Sequence, residues 1–477
     1  MKTFLFYDIE TSGLSSAFDQ VLTFAAIRTD TRLEEIRRES VTIRLRDDIV
    51  PSPWAFLTHR LTPEALQEGL CEYDAAHRIH GIMNHPGTVS IGYNTLGFDD
   101  EFLRFTFYRN LLDPYTHQYA GSCSRMDLLP VATLFRIFKP DIVKWPEIDG
   151  KPSLKLEHIT AENNFATSAR AHDAMADVES TLALARALKA QDDMWTYALG
   201  FFDKKTDLAR LNQIEKTVST DCGTFRVCIM VSVFFGPETM YMAPVLHIGG
   251  SEPYPNQSLW LRLDTEHFLP GAFDPEKNQP PVIRKKTAEA NLILPPVERF
   301  WTRLSGKQQQ ICSDNLAALS SRPGIFSRIV HHHRSYKYPV VPDLDADAGL
   351  YQDGFFSRDE KKAMALFHRA EGRKKVSVLE KTTTSRVKTL AARIVARNFP
   401  ELEPLLPEDL QDGYREMVQG LGEKNRIRGF KNDFKLSLPE AEQAIVDIES
   451  KGGLDSEQEG IMVWLKSRVA AMAQLRK

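Results

Sequence analysis

Two carboxylates close the first apolar run of the chain. Asp8 and Glu10 lie two residues apart at the end of the run at residues 4–9. Because side chains alternate along a strand, residues i and i+2 project from the same face, so both carboxylates point to one side of a predicted strand. Hard carboxylate oxygens are the ligands that Mg²⁺ and Mn²⁺ prefer. Exposed strand-end acids are also common, so the pair indicates a metal site only if further acids join it.

A third acid follows a glycine-containing loop. Residues 92–100 read GYNTLGFDD, which predicts the end of a strand, a loop, and a helix that begins near Asp99. An aspartate at a helix start is often only an N-cap, and that role explains Asp99 or Asp100 as well as a chemical one does. Asp99 therefore becomes a candidate ligand through its combination with Asp8 and Glu10.

A histidine and a fourth acid occur together at the start of a predicted helix. His172 and Asp177 lie in HDAMAD, which leads into an apolar stripe at helical spacing. Five residues turn an α-helix through about 500°, so the two side chains converge only if His172 lies on the loop before the helix. A lone histidine in such a place is usually structural, but this one follows the three acids in chain order. With an ordinary pKa of about 6.5, a histidine is a good general base near neutral pH.

The elements that must position these residues form an α/β pattern over residues 1–192. Apolar runs and period-two alternation predict strands at residues 4–9, 21–27, 40–46 and 89–93. Helical periodicity predicts helices at residues 73–83, 101–110, 126–138 and 174–188. This alternation is typical of a central mixed sheet with flanking helices.

Two further domains are predicted after this one. Short β-rich runs between Gly- and Pro-rich turns predict a small barrel or curled sheet within residues 193–347. The acidic segment 341–349 has the composition of a linker, and residues 348–477 have an almost wholly helical pattern.

Charge is distributed unevenly along the last half of the chain. Residues 361–400 contain 11 Lys or Arg and 2 Asp or Glu, whereas residues 341–360 contain 1 and 6. This asymmetry predicts a polyanion-binding surface beside an acidic one, although solvated faces explain any single residue equally well. The basic candidates for that surface are Arg284, Lys285, Lys286, Arg373, Lys374, Lys375, Arg386, Lys388, Arg393 and Arg397.

Composition excludes several other classes of protein. Hydrophobic residues at 42% and charged residues at 26% are ordinary for a folded globular chain and argue against disorder or a fibrous fold. Five scattered cysteines, without a C-x-x-C pair, fit neither a disulfide framework nor a zinc ribbon, so we expect a reducing cytoplasm. The sequence contains no run of about 18 apolar residues, and the first apolar run meets Asp8 before any cleavage site, so we expect neither a membrane span nor a signal peptide.

Taken in order, these motifs resemble those of the DEDDh 3′→5′ exonucleases. Within that superfamily the segments FLFYDIETSG, FAAIRTD, GYNTLGFDDEFLR, WPEIDGKPSLKLEHIT and AHDAMADV resemble the bacterial exonuclease I family. LYQDGFFS and ARNFP extend the likeness more weakly into the last third of the chain. The resemblance implies an α/β ribonuclease-H-like nuclease domain, then a small β-rich SH3-like domain and an all-helical C-terminal domain.

The same resemblance implies roles for individual residues. Asp8, Glu10, Asp99 and Asp177 match the family's four metal-binding carboxylates, and they would hold two Mg²⁺ ions, for which Mn²⁺ may substitute. His172 matches the histidine that acts as the general base. The residues implied in substrate binding are Glu10, Thr11, Ser12, Gly13, Phe98 and Arg125. For Phe98 a place in the core beside the sheet is the stronger expectation from composition.

The resemblance also implies the substrate, the partners and the setting. It implies a processive exonuclease that degrades single-stranded DNA from the 3′ end to 5′-mononucleotides in DNA repair and recombination. The implied partner is the acidic C-terminal tail of the single-stranded DNA-binding protein. A cytoplasmic monomer without membrane contact is expected.

Two other functions remain open at this point. A catalytically inactive DNA-binding module would tolerate the loss of an acid, and the four acids and His172 are all present. A 3′→5′ exoribonuclease or a proofreading-type exonuclease would use the same chemistry, but such enzymes typically lack two large accessory domains.

Overall fold

The computed structural model describes residues 2–165, 173–266, 274–275 and 277–474. Its strands are β1 Thr3–Thr11, β2 Val21–Thr29, β3 Glu35–Thr42, β4 Thr88–Gly92, β5 Ser124–Asp127, β6 Glu147–Ile148, β7 Lys151–Pro152, β8 Val218–Thr220, β9 Gly223–Val231, β10 Met242–Gly250, β11 Gln257–Arg262, β12 Val282–Lys286 and β13 Leu292–Leu294. Its α-helices are α1 Pro53–His59, α2 Pro63–Gln67, α3 Glu72–Met83, α4 Asp99–Arg109, α5 Leu128–Phe138, α6 Leu156–Asn163, α7 Ala174–Lys189, α8 Asp192–Leu199, α9 Lys204–Gln213, α10 Glu298–Trp301, α11 Gly306–Ser321, α12 Pro323–Ser335, α13 Arg358–Arg369, α14 Lys374–Glu380, α15 Ser385–Asn398, α16 Glu408–Gly420, α17 Leu438–Lys451 and α18 Ser456–Gln474.

The first sheet is mixed, as predicted. Its strand order is β3-β2-β1-β4-β5, with β1 antiparallel to β2 and parallel to β4, and β4 parallel to β5. Strand β1 is central and buried on both faces, which explains its nearly continuous apolar sequence. Phe4 and Phe6 pack on the face covered by α5 and α7, whereas Leu5, Tyr7 and Ile9 pack on the face covered by α3 and α4. Side chains alternate along the strand, so Asp8 and Glu10 lie on the same face of β1 as Phe4 and Phe6 and point towards α7.

A second, antiparallel sheet follows in the middle of the chain. Its order is β12-β11-β10-β9-β13, and β8 pairs with β9. Helices α11 and α12 cover one of its faces through Cys312, Leu319 and Phe326. The β-rich domain that the turn-rich sequence predicts is therefore present. The edge strand β12 was not predicted, because its sequence VIRKK looks like a basic stretch.

The last third is helical, and its core is shared with the first sheet. Phe18 and Phe56, which precede residue 192, lie in one apolar cluster with Val395 and Leu465. Trp195 of α8 lies in the cluster that fills the α7 face of the first sheet. The boundaries 1–192, 193–347 and 348–477 therefore stay predictions, with apolar contacts that run across them. In the described ranges, the helices are too short or too polar to cross a bilayer.

The acidic segment 341–349 is anchored by ion pairs. Arg397 of α15 binds both Asp347, at 2.6 Å, and Asp48 of the first domain, at 2.9 Å. Arg393 binds Asp345 at 2.6 Å. The expected polyanion-binding role is therefore wrong for Arg393 and Arg397, because the side chains of both are buried and neutralised within the protein.

Lys285 is a second correction to the predicted basic surface. Its ammonium group is buried and lies 3.1 Å from the carboxylate of Asp207 on α9. Arg386 likewise binds Glu360 at 2.7 Å. A net charge counted over a sequence window cannot distinguish a solvated cation from one that is neutralised by a carboxylate from a distant part of the sequence.

Candidate active site

Three of the predicted acids converge at the end of β1. Single carboxylate oxygens of Asp8, Glu10 and Asp177 all lie within 4.8 Å of one another, and all three side chains are half-buried. Asp8 and Glu10 reach this point from one face of β1, and Asp177 reaches it from the first turn of α7. The convergence follows from the packing of α7 on that face through Ala174, Val178 and Leu182.

Asp99 lies beside this cluster at the first residue of α4. Backbone hydrogen bonding from Ile9 and from Asp99 itself lowers the pKa of its carboxyl group. Burial nevertheless raises the pKa of Asp99 to about 8. The charge of Asp99 in turn helps to raise the pKa values of Asp8 and Glu10, so the four acids form one electrostatic unit.

The site is electrostatically unfavourable without a cation. Burial, followed by the charges of Asp99, Glu10 and Asp177, raises the pKa of Asp8 well above its ordinary value. Burial and the neighbouring charges of Asp177 and Asp99 raise the pKa of Glu10 to about 8. Among the described residues, no Lys or Arg forms an ion pair with Asp8, Glu10 or Asp99. Clustered carboxylates of this kind fit a hard divalent cation, which would offset their repulsion.

The prediction for His172 lies outside the described residues. In the described part, Asp173 is the N-cap of α7, and its side chain accepts a hydrogen bond of 3.0 Å from the backbone N–H of Met175. Helix α7 begins at Ala174. The role of His172 stays a prediction.

The turn after β1 is held by its own side chains. Thr11 Oγ1 donates to the carbonyl of Gly13 at 2.7 Å, and Ser12 Oγ donates to Asp19 at 3.1 Å while it accepts from the backbone N–H of Gln20 at 2.9 Å. Ser12 is fully buried. A β-carbon on Gly13 would collide with the carboxylate of Asp19, so a larger residue there would disrupt the turn. Contact of this turn with a substrate stays a prediction.

Leu14 is a candidate that sequence reasoning missed. It follows the turn directly, and 82% of its surface is exposed. Its exposure directly after the turn makes it a candidate for contact with a substrate. Phe98, in contrast, is half-buried against Phe102, with ring centroids 4.7 Å apart, which agrees with the expected place in the core.

Arg125 is engaged by two carboxylates. Its guanidinium group forms ion pairs with Asp100 of α4 and with Glu289, which lies between β12 and β13. Burial alone would raise the pKa of Asp100, but Arg104 and Arg125 hold it well below its ordinary value. Arg125 thus links the start of α4 to the second sheet, and its predicted contact with a phosphate stays a prediction.

Asp127 is a positioning residue that the sequence did not reveal. It ends β5, and its carboxylate accepts backbone hydrogen bonds from Asn94 at 2.8 Å, Leu96 at 3.1 Å and Leu129 at 2.9 Å. Two of these bonds hold the loop that leads to Asp99. The available signal was an aspartate immediately before an apolar helix, which is also the signature of an ordinary N-cap.

The fold and the acidic site define a nuclease of the exonuclease superfamily. A family model described as Exonuclease matches residues 5–185, and another described as Exonuclease I C-terminal domain matches residues 344–458. The sequence is 34% identical over 429 residues to Exodeoxyribonuclease I of Escherichia coli (strain K12), covering 84% of this chain and 86% of that one. It is 29% identical over 387 residues to Exodeoxyribonuclease I of Haemophilus influenzae, covering 76% of this chain and 79% of that one.

Solved structures agree with this assignment. The zinc-bound form of the E. coli exonuclease I complex with single-stranded DNA superposes with a TM-score of 0.84 at 27% identity, covering 99% of this chain and 100% of that one. This chain belongs to the exodeoxyribonuclease I family. The predicted fold class and the predicted class of enzyme, a 3′→5′ exodeoxyribonuclease, are therefore confirmed.

Proposed function

We propose that this protein hydrolyses single-stranded DNA from the 3′ end and releases 5′-mononucleotides, processively, in DNA repair and recombination. The observation that carries the proposal is the convergence of Asp8, Glu10 and Asp177 in a chain that aligns over 84% of its length with an exodeoxyribonuclease I. Metal-assisted hydrolysis of a phosphodiester uses a carboxylate cluster of this kind, and the intact carboxylates argue against an inactive DNA-binding module.

The proposed cofactor is a pair of Mg²⁺ ions, for which Mn²⁺ may substitute. Asp8, Glu10 and Asp177 would hold one ion, and Asp8 with Asp99 would hold the other. When bound, such ions activate the nucleophile and neutralise charge that develops on the phosphate. The raised pKa values of Glu10 and Asp99, both about 8, support cation binding, since a cation would favour the ionised form of each.

The remaining residues are proposed to handle the proton and the terminal nucleotide. His172 would accept a proton from the attacking water, as a loop-borne general base. The turn at Thr11 to Gly13 would approach the terminal sugar through its backbone, with Leu14 against the base. Asp127 would keep Asp99 in place by holding the loop before α4.

The accessory regions are proposed to hold the strand and to recruit a partner. Family membership supports closure of residues 193–347 and 348–477 around a single strand, and a docking role for the acidic C-terminal tail of the single-stranded DNA-binding protein. We propose that the enzyme works as a monomer in the cytoplasm.

One degradation experiment tests the main proposal. A 5′-labelled DNA single strand, its duplex and the matching RNA are incubated with the protein in Mg²⁺ or in EDTA, and the products are sized over time. Progressive 3′ shortening of the DNA single strand, in Mg²⁺ alone, is expected. Faster shortening of RNA would favour the exoribonuclease alternative. Strand binding without any shortening would favour the inactive module.

A further inference from the structure

The first turn of α4, which carries Asp99, has no side-chain cap. Phe98 is the N-cap residue of this helix and offers no side-chain acceptor to the backbone N–H groups of the first turn. Asp127 holds the loop that precedes Phe98, and the helical residues 99–101 rely on their side chains for further anchoring. We call these three residues the α4 start. Its position relative to β1 decides where the carboxylate of Asp99 lies.

The segment 193–347 anchors the α4 start at Asp100. The carboxylate of Asp100 is buried and forms ion pairs with Arg104 of α4 and with Arg125 of β5. The guanidinium group of Arg125 forms a second ion pair with Glu289, which lies between β12 and β13. Only 12% of the Arg125 side chain and 22% of the Glu289 side chain are exposed, so water screens this pair weakly. Glu289 therefore completes a set in which two cations and two carboxylates balance.

The last third of the chain anchors the same turn at Glu101. The hydroxyl group of Tyr351 donates to Oε1 of Glu101 at 3.4 Å and accepts from Nη1 of Arg104 at 3.3 Å. The Tyr351 ring lies edge-on to the ring of Phe105, with centroids 5.5 Å apart. Lys431, between α16 and α17, places its Nζ 3.1 Å from Oε2 of Glu101. Two separate segments from beyond residue 192 therefore hold one helical turn.

We propose that Glu289 and Tyr351 are positioning residues for the metal site. By holding the α4 start in place, they keep Asp99 beside Asp8 and thereby raise the affinity of the acidic site for a divalent cation. The two accessory regions then contribute to catalysis without any contact with the substrate. This inference rests on the proposed function, because it concerns the cation that the proposed hydrolysis requires.

The chemistry of the proposed cation explains why a small displacement of Asp99 matters. Mg²⁺ requires near-ideal octahedral geometry, with oxygen ligands at about 2.0 to 2.1 Å. Substitution of residues that orient metal ligands from behind typically lowers metal affinity about 10- to 100-fold. Glu289 and Tyr351 act through intervening arginines rather than on Asp99 directly, so the lower end, about 10-fold, is expected. A purely structural role would lower the stability of the protein and leave metal affinity unchanged.

The test measures Mn²⁺ binding by the full-length protein without DNA, from the electron paramagnetic resonance signal of the free ion. In the variant Glu289→Gln/Tyr351→Phe each side chain keeps nearly its size, and only the charge of Glu289 and the hydroxyl group of Tyr351 are removed. Mn²⁺ should bind this variant about 10-fold more weakly than the wild type. The control variant Glu298→Gln/Tyr338→Phe makes the same chemical changes at exposed positions and should bind Mn²⁺ like the wild type.

Rate measurements on a single-stranded oligonucleotide give a second readout. The Mg²⁺ concentration at half-maximal rate should rise in Glu289→Gln/Tyr351→Phe by the same factor as the loss of Mn²⁺ affinity. The kcat of this variant at saturating Mg²⁺ should return to the wild-type value, because every proposed ligand is still present. Chemical denaturation in EDTA shows separately how much the two contacts add to the free energy of unfolding.

Unchanged Mn²⁺ affinity in the folded variant would overturn the inference, even if the denaturation midpoint falls, because the contacts would then serve only to join the domains. An equal loss of affinity in the control variant would overturn it as well. If the double variant does not fold, Glu289→Gln and Tyr351→Phe are measured singly. A loss of about 3-fold is then expected in each, and no loss in either would refute the assignment. The proposed function fails on a separate result, namely a wild type that binds Mn²⁺ and does not shorten DNA.

Discussion

Glu10→Gln should stabilise the metal-free protein, although it removes a proposed ligand. Burial and the neighbouring carboxylates raise the pKa of Glu10 from 4.5 to about 8. The folded protein therefore retains a proton that the unfolded chain has released between about pH 4.5 and about pH 8. Since the native state binds more protons in this range, the free energy of unfolding falls as pH rises through it. Glutamine does not titrate, so the free energy of unfolding of the variant does not fall for this reason as the pH rises.

The size of the effect follows from the same pKa values. A rise from 4.5 to about 8 corresponds to about 5 kcal/mol of lost stability once Glu10 is fully ionised. Asp8 and Asp99 share the same repulsion and relax when one charge is removed, so a gain of about 2 to 5 kcal/mol at pH 8 is expected. The gain should shrink towards zero as the pH falls below about 4.5, where Glu10 becomes protonated in the unfolded chain as well as in the folded protein.

Chemical denaturation in EDTA, repeated across this pH range, measures the difference. Difference infrared spectroscopy would report the protonated carboxyl group directly. The exposed Glu68→Gln serves as a matched control and should leave the denaturation midpoint unchanged at every pH. Addition of Mg²⁺ should reverse the order of stability, because the wild type binds the cation more tightly in its folded state.

Two results would refute this reasoning. A Glu10→Gln variant that is less stable than the wild type in EDTA at pH 8 would show that the carboxylate is satisfied without a cation. A stability difference that does not depend on pH would show that Glu10 has an ordinary pKa.

Three other outcomes are expected. Asp8→Ala should abolish Mg²⁺-dependent degradation while the circular dichroism spectrum stays native, and near-normal turnover would contradict the metal assignment. His172→Ala should lower kcat about 10²- to 10⁴-fold with unchanged DNA affinity, and the pH–rate profile should lose its rising limb. An unchanged profile would show that His172 is not the general base. Arg397→Leu should cost about 3 to 5 kcal/mol in denaturation experiments, because the buried carboxylates of Asp48 and Asp347 lose the cation that they share. A neutral result would show that Arg46, Lys435 and Arg393 neutralise both carboxylates without it.

The local pattern of the sequence was sufficient to predict the strand and the helix that carry Asp8, Glu10 and Asp177. The strand predicted at residues 4–9 and the helix predicted at 174–188 correspond to β1 and α7. Both have strong signals, because β1 is apolar on two faces and α7 has a regular apolar stripe. The alternation of side chains along a strand was sufficient to predict that Asp8 and Glu10 lie on the same face of β1.

Weak local signals caused the errors in the first sheet. The third strand was predicted at residues 40–46 but occupies Glu35–Thr42, because its first half is a polar edge with Arg37 and Arg38 in ion pairs. The helix predicted at residues 126–138 begins at Leu128 instead, because residues 126 and 127 end the four-residue strand β5, which is too short to show a period of its own.

The sequence by itself determined which residue types are available for metal chemistry, and the order in which they occur. The tertiary structure decided which charges remain available. Arg393 and Arg397 looked like a DNA-binding surface, and packing placed them against Asp345, Asp347 and Asp48 instead. Tyr254 lies more than 80 residues before Tyr338, and only the fold brings their rings together. Periodicity is a property of neighbouring residues, whereas an ion pair or a ring stack depends on where distant segments meet.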